Sequence, residues 1–177
     1  MRPWRSLAWR TEMDGLSDWG FHIRNVLLWG LIAMVAMTTV LQGSQGLGLS
    51  RLSLPFLVGT MVTPNRDRAV VYGFFLYTLG GWIFASLYYL VFFSIGFSSG
   101  WLGAVLGLLH GLFLLVAILP LLPHLHPRMA SAYDGPTSER RLEPPGFMAL
   151  NYGRRTPLTT LLGQVLYGAV LGVFYQV

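Results

Sequence analysis

The sequence contains no cysteine and no lysine, and it carries little charge of either sign. The absence of cysteine excludes disulfides, iron–sulfur clusters, thiolate metal sites and thioether-linked haem. Only 11% of the residues are charged, whereas soluble domains usually carry about 25%. Neither a phosphate-binding loop nor an HExxH motif occurs. These absences predict a protein that is not an enzyme and has no catalytic residues.

Long apolar runs take the place of the missing charge. The chain of 177 residues is 54% hydrophobic, and a helix needs ~20 apolar residues to cross the bilayer. Four runs satisfy this length, and no charged residue interrupts their cores. We therefore predict an all-α membrane protein with four transmembrane helices in one bundle over residues 23–177. A long loop at 123–155 joins the third helix to the fourth. The predicted spans are 23–42, 69–95, 100–122 and 156–177.

The N-terminal segment, residues 1–22, is predicted to be an amphipathic helix that is retained at the membrane interface. Tryptophans alternate there with arginines, a composition typical of the headgroup layer. No small-x-small cleavage site follows the segment, which argues against a removed signal peptide. A disordered tail is the alternative. The predicted interfacial tryptophans are Trp4, Trp9 and Trp19.

The stretch between the first two spans is too short to cross the membrane unaided. Its apolar part covers residues 52–62, and Pro55 interrupts it. An interfacial or re-entrant helix is favoured, because lipid offers no hydrogen bonds to an irregular backbone. Crossing by this segment stays an alternative, and it would move the N-terminus to the other side of the membrane.

Arginine distribution predicts the orientation. With four spans, eight of the twelve arginines fall at one end of the bundle, and cytoplasmic loops are enriched in basic residues. The 123–155 loop is therefore predicted to face the cytoplasm of a bacterial inner membrane. The arginines flank apolar runs and form no single patch, which argues against nucleic-acid binding. The eight are Arg51, Arg66, Arg68, Arg128, Arg140, Arg141, Arg154 and Arg155.

Small residues recur at helical spacing in three of the spans. In lipid, helices associate by close van der Waals contact, which stripes of small residues permit. We therefore predict a tightly packed bundle, or a surface for the helices of other subunits. The predicted packing positions are Gly81, Ala85, Gly103, Gly107, Gly111, Gly168 and Gly172.

Two histidines, His124 and His126, lie between prolines where the third span ends. A metal site would need a third ligand, and the nearest acids lie on a polar loop, so no metal site is predicted. Both histidines are instead predicted to anchor the chain at the interface. The same role is predicted for Arg128, Arg154 and Arg155.

His110 lies midway along the third span and shares a face with its glycines. A histidine at that depth is expensive to bury unless it is paired, so it is a candidate functional residue. The favoured role is a neutral hydrogen bond between helices, with Tyr167 as partner and Gln164 as substitute. The alternatives are an axial ligand to a chlorophyll-like pigment at a subunit interface and a proton relay. Packing of this face on the second span near Ala85 or Trp82, or on another subunit, also stays open. Within the chain no intrinsic cofactor is predicted, because no second span offers a matching histidine pair for haem.

Several strings resemble a group of small, uncharacterised four-span bacterial membrane proteins. The resemblance covers most of the chain beyond residue 20. It implies a bacterial inner-membrane location and four helices, and it supplies no activity and no catalytic residues. The strings are MVAMTTV, LLHG, LPLLPHLHPRM, GFMALNYGRRTPL and YGAVLGVFY.

The leading functional hypothesis is a non-catalytic accessory subunit that packs against a larger membrane complex of bioenergetic or photosynthetic type. Its expected partners are the lipid bilayer and other transmembrane subunits. The alternative is a small carrier or channel for an uncharged or lipid-like solute. All seven acidic residues lie outside the spans, which argues against an ion-coupled transporter. A membrane enzyme ranks third.

Overall fold

The computed structural model describes the backbone of residues 5–131 and 135–177, and the side chains of these residues from Trp19 onward. Four of its helices are long and apolar enough to cross a membrane, which confirms the predicted all-α membrane architecture. The four spans are Trp19–Gly46, Arg66–Ile95, Gly100–Leu125 and Thr156–Phe174. The helices are α1 (Arg5–Gly46), α2 (Leu54–Val62), α3 (Arg66–Ile95), α4 (Gly100–Phe113), α5 (Leu119–Leu125) and α6 (Thr156–Phe174), with a π-helical segment (Leu114–Ile118) between α4 and α5.

The first helix is longer than the first predicted span. α1 runs without interruption from Arg5 to Gly46, so the expected boundary at residue 22 is not a break in the backbone. The helix ends where Gly48 adopts a left-handed conformation at φ 69°. Trp4 lies outside the described residues, and so does the side chain of Trp9. Trp19, the remaining predicted anchor, is 69% exposed.

The spans alternate in direction along the chain. The Trp82 indole on α3 donates to the carbonyl of Leu27 on α1 at 3.0 Å, and further along the Thr38 and Tyr77 hydroxyls lie 3.3 Å apart. In these two contacts the residue number rises along α1 as it falls along α3, so the two helices are antiparallel. The start of α1, the 96–99 turn and the C-terminus therefore share one end of the bundle, here the terminal side. Residues 47–65, 123–131 and 135–155 share the other end, here called the arginine-rich side.

The short helix α2 does not cross the bundle. Its Pro55 lies against Gly73 of α3, and its Gly59 lies against Ala69, which shows that α2 runs antiparallel to the first turns of α3. A methyl group on either glycine would overlap a carbonyl of the other helix. The α2 start thus lies about two helical turns inward from Arg66. This arrangement is a re-entrant hairpin on the arginine-rich side.

Prolines distort the third span. Pro120 has no backbone N–H to donate, and the helix widens just before it. The amide of Leu119 donates to the carbonyl of Leu114, five residues earlier. Both Leu115 and Leu119 are buried, so the wide turn directs two leucines into the core on the arginine-rich side. The sequence predicts one span over residues 100–122 and does not indicate this widening.

Glycines hold α4 against α6, as the sequence predicts. A methyl group at Gly103 would overlap the carbonyl of Gly168, and one at Gly107 would overlap that of Gln164. Only bare backbone permits this approach. The other predicted positions also lie between helices of this chain: Gly172 on Ser99, Gly111 on Leu161, Gly81 on Met34, and Ala85 on Gly30.

A second buried core caps the bundle on the arginine-rich side. Its centre is a 3₁₀ segment, Phe147–Tyr152, in which Met148 and Ala149 take left-handed φ values of 52° and 58°. Ala149 is fully buried, and its segment packs against the end of the third span and against α6. The Tyr152 hydroxyl donates to the carbonyl of Glu143 at 2.6 Å, and burial raises the Tyr152 pKa to about 12. The core consists of Leu52, Leu57, Leu115, Leu119, Met129, Ala149 and Tyr152.

Candidate functional site

His110 lies among aromatic rings at the junction of α3, α4 and α6. Its ring stacks on Phe84 with centroids 4.0 Å apart, and its Nδ1 lies 3.4 Å from the Tyr88 hydroxyl. Both partners belong to α3. His110 is thus in an inter-helix polar contact, but with the second span. The contact is long for a hydrogen bond, so ring stacking is the stronger constraint on the imidazole.

The predicted partners of His110 are placed elsewhere, and that part of the prediction is wrong. Tyr167 lies at the expected depth, with its ring 6.4 Å from the His110 ring, but its hydroxyl donates to the Gly81 carbonyl at 2.7 Å. Gln164 lies in the α4–α6 contact beside Gly111, and its Oε1 is buried with no hydrogen-bond partner. Matching depth along two helices does not fix their rotation. Tyr167 faces α3, which brings a different carbonyl within reach.

A groove open to the surrounding lipid runs between α3 and α4 beside His110. It encloses about 260 Å³, and His110 and Tyr88 provide its polar groups. Leu87, Val91 and Leu109 line it, with Phe113 at one end. The groove exists because α4 packs its glycine face on α6, which leaves aromatic side chains to bridge the gap to α3. Among the described residues, the other imidazole nitrogen, Nε2, makes no hydrogen bond.

His126 is buried, contrary to the interfacial role predicted for it. The side chain is 1% exposed, and its Nε2 lies 3.1 Å from the Leu57 carbonyl and 3.2 Å from the Thr60 hydroxyl. Its Nδ1 accepts from the Arg128 amide at 3.1 Å, so the ring is neutral with the proton on Nε2. Burial lowers the His126 pKa, and the nearby Arg128 charge acts in the same direction. The ring therefore joins the end of the third span to α2.

Arg128 completes this junction. Its guanidinium Nη1 donates to the carbonyls of Thr60 and Met61, at 2.6 Å and 3.0 Å. These carbonyls lie at the C-terminal end of α2, where a cation also complements the helix dipole. Arg128 is half-buried and bonded to protein, unlike the interfacial anchor predicted for it. His124, Arg154 and Arg155 are exposed, and their interfacial role stays a prediction.

A second histidine–tyrosine pair on the terminal side was not recognised from the sequence. The His22 Nδ1 and the Tyr89 hydroxyl form a short contact between α1 and α3. A lipid-facing groove of about 610 Å³ lies beside the pair, lined mainly by Trp19, Leu90 and Phe93. His22 falls at the predicted edge of the first span, so only the extra length of α1 brings it into the bundle.

The stretch Gly96-Phe97-Ser98-Ser99-Gly100 matches the nucleophile pattern Gly-x-Ser-x-Gly, and it was not recognised from the sequence. Such a serine belongs on a strand-to-helix turn beside a histidine. Here the motif is the turn between α3 and α4, and the Ser98 hydroxyl donates to the carbonyl of Tyr175 at 2.8 Å. The match is therefore a connection between helices whose serine hydroxyl bonds the C-terminal segment.

One face of α1 lacks neighbours from the described part of the chain. Thr39, Gly43 and Gly46 are exposed at helical spacing, and a methyl group at either glycine would contact nothing within 4 Å. A methyl group at Gly80 on α3 would likewise contact nothing within 4 Å. These glycines differ from the seven predicted packing positions, which this chain uses internally.

No group of three histidine or acidic side chains close enough to hold a metal ion occurs among the residues described here. Comparison of the chain with protein-family models, characterised proteins and solved structures found no match. The resemblance to small four-span bacterial proteins consequently stays a prediction.

Proposed function

We propose that the protein is a non-catalytic accessory subunit whose α1 helix packs against a transmembrane helix of a larger membrane complex. The uncovered small-residue face of α1 carries this proposal. Small residues at helical spacing permit close approach of a second helix, and the chain's own helices already cover the seven predicted packing positions. Lipid chains cover Thr39 and Gly43 less well than a matching helix would, because van der Waals packing drives association in the bilayer.

A bulky residue at Gly43 tests the proposal without harming the fold. A methyl group at Gly43 would contact nothing within 4 Å among the described residues, so we expect the Gly43→Leu monomer to fold as before while the partner helix is pushed away. Gly80→Leu is the matched control, with equally open space on another helix. The measurement is native mass after gentle detergent extraction from the source membrane.

We expect the wild-type chain and Gly80→Leu to migrate with a large assembly, and Gly43→Leu to be released from it. Release of both variants, or of neither, would contradict the assignment of this face. A wild-type chain found only as an oligomer of itself would overturn the accessory-subunit proposal.

The proposed location is the bacterial inner membrane, with the 123–155 loop in the cytoplasm. The concentration of arginines on that side supports this orientation. A reporter fused after Ser138 should therefore behave as cytoplasmic, with green fluorescence and no alkaline phosphatase activity. Phosphatase activity at that position would reverse the orientation.

A second candidate function is a carrier for an uncharged or lipid-like solute, and the groove beside His110 favours it. The groove is apolar apart from the imidazole and the Tyr88 hydroxyl, which suits a lipid-like molecule with one hydrogen-bonding group. Under this proposal, a neutral lipid should copurify with the wild type and be lost from His110→Leu. The same lipid content in both proteins would exclude the groove as its site.

A further inference from the structure

A pocket on the arginine-rich side gathers three guanidinium groups, and the proposed function does not use it. The pocket encloses about 660 Å³ between the end of α2, the start of α3 and two segments of the long loop. Arg66, Arg128 and Arg141 line it, together with one acid, Glu139. Lining groups thus carry a net charge of +2, from three arginines and one carboxylate.

The walls of the pocket are held in place by bonds independent of any ligand. The amide of Leu142 donates to the carbonyl of Arg128 at 3.0 Å, and that of Ala130 donates to the carbonyl of Leu142 at 2.9 Å. These bonds fix the 138–142 segment beside the end of the third span. On the other wall, Arg128 and buried His126 bind α2. The pocket is therefore built by the fold.

The arginines retain donors for a ligand. Arg128 uses Nη1 for the α2 carbonyls, and within the described residues its Nη2 and Nε make no hydrogen bond. Arg66 lies over the Phe56 ring at 5.9 Å, an arrangement that orients the guanidinium without using its N–H groups. The charge of Arg141 is not paired with a carboxylate in the described part of the chain, where the ion pair formed is that of Arg51 with Glu143 at 3.2 Å.

The position of the pocket along the bundle indicates which anion it meets. Arg66 is the first residue of the second span, and Arg128 follows three residues after the third span ends at Leu125. This level is where apolar helices leave the hydrocarbon layer and lipid phosphates lie. Phe56 and Leu142 give the pocket an apolar side, which suits the glycerol and acyl region of a lipid.

We propose that this pocket binds the phosphate group of an anionic phospholipid, with Arg66, Arg128 and Arg141 as its donors. Guanidinium groups bind phosphate oxygens through paired N–H bonds, and basic pockets between helices recognise anionic headgroups. Glu139 adds a requirement, because its carboxylate would repel the phosphate unless the headgroup donates a hydrogen bond to it. A headgroup with free hydroxyls, as in phosphatidylglycerol, meets both conditions. The net positive charge favours it over zwitterionic lipids.

The test is native mass spectrometry of the full chain in detergent, titrated with phosphatidylglycerol, phosphatidylethanolamine or phosphatidylcholine. The wild type should retain phosphatidylglycerol best. The double variant Arg66→Gln plus Arg141→Gln should bind it about 25-fold more weakly, at about fivefold for each arginine near a lipid surface. Both side chains are exposed, so their replacement leaves the buried cores intact.

The matched control is Arg154→Gln plus Arg155→Gln, which removes the same charge from exposed positions on the same side and outside the pocket. Its affinity should stay within about threefold of the wild type, because distant exposed charges are screened. Glu139→Gln should lose the preference for phosphatidylglycerol over an anionic lipid whose headgroup offers no hydroxyl.

Three outcomes would overturn the proposal. Equal loss in the two double variants would show diffuse attraction to a charged surface. A preference for phosphatidylethanolamine over phosphatidylglycerol would exclude an anionic headgroup. Binding of inorganic phosphate as tightly as phosphatidylglycerol, with displacement of the lipid, would make free phosphate the ligand and exclude the lipid assignment.

Discussion

The helix bundle is held together by one kind of interaction, and the cap on the arginine-rich side by another. The cap here means the second buried core together with His126 and Arg128. In the bundle, α4 and α6 meet where side chains are missing, and carbonyls of one helix touch glycines of the other. In the cap, the end of the third span meets α2 through His126 and Arg128, whose side chains donate hydrogen bonds to carbonyls of α2. The α4–α6 contact is specific because glycines lack side chains there. The contact between α2 and the third span is specific because side chains donate hydrogen bonds to backbone carbonyls.

The difference follows from the surroundings of each region. Inside lipid there is no hydrophobic force between helices, so close packing decides which faces pair. Near the headgroups, water competes for polar groups and the backbone is irregular, so each buried carbonyl needs a donor. The two regions should therefore fail in different ways when they are mutated. Bulk should damage the bundle, and loss of a donor should damage the cap.

The largest expected effect comes from added bulk at Gly168. In Gly168→Leu the new side chain would overlap the backbone of Gly103, which cannot move aside as a flexible side chain could. We expect a loss of about 3 kcal/mol of unfolding free energy, at the upper end for overpacking. Thermal unfolding in detergent, followed by circular dichroism, measures it. The same substitution at Gly80, which faces open space, should change little; equal damage at both positions would show a general intolerance of bulk.

The sequence predicted the bundle better than the cap. Glycine spacing identified the helix faces at Gly103, Gly107 and Gly168, because small-residue stripes report directly on close helix contacts. The pairing of those faces could not be predicted, since spacing gives depth and not the rotation of a helix. For that reason Tyr167 was assigned to His110 when it bonds to Gly81.

The cap resisted prediction because its contacts are long-range. His126 and Thr60 are 66 residues apart, and nothing local shows that they meet. A histidine between two prolines is typical of an exposed helix stop, and His124 is indeed exposed whereas His126 is not. The left-handed backbone at Met148 and Ala149 also lacks the glycine that usually marks such a conformation. The interfacial interpretation is therefore wrong for His126, which is buried, and stays a prediction for His124.

Loss of a donor should break the cap at Arg128. Arg128→Gln removes the charged donor from the carbonyls of Thr60 and Met61, and hydrogen bonds to charged groups contribute about 1.5–3 kcal/mol. We expect amide exchange to accelerate in residues 54–62 while α4 and α6 keep their protection. Arg154→Gln, an equal charge change at an exposed position, is the control. Faster exchange throughout the bundle would contradict the separation of the two regions.

The cap should also respond to acid through His126. Burial keeps its pKa in the folded protein below the value of about 6.5 expected in the unfolded chain. The unfolded chain therefore takes up the proton more readily, so the His126 contribution is complete above about pH 6.5. It declines as the pH falls below that value, by at most ~1.4 kcal/mol per pH unit.

The measurement is unfolding free energy between neutral and mildly acidic pH for His126→Gln, whose amide keeps a donor without a titrating ring. This variant should lose part of the pH dependence that the wild type shows. Exposed His124 provides the control, since His124→Gln should keep the wild-type profile. Unchanged pH dependence in His126→Gln would mean that another group causes the acid response.

The smallest expected effects come from two polar side chains within the bundle, and they should differ in sign. Tyr167→Phe removes the hydroxyl that donates to the Gly81 carbonyl, and hydrogen bonds between membrane helices contribute about 0.6 kcal/mol. Gln164→Met removes a buried Oε1 that has no partner, so stability should stay equal or rise slightly. Chemical unfolding of both variants in the same detergent gives the comparison. A larger loss for Gln164→Met than for Tyr167→Phe would show that a polar partner serves Gln164, and that hydrogen bonding matters in the bundle as it does in the cap.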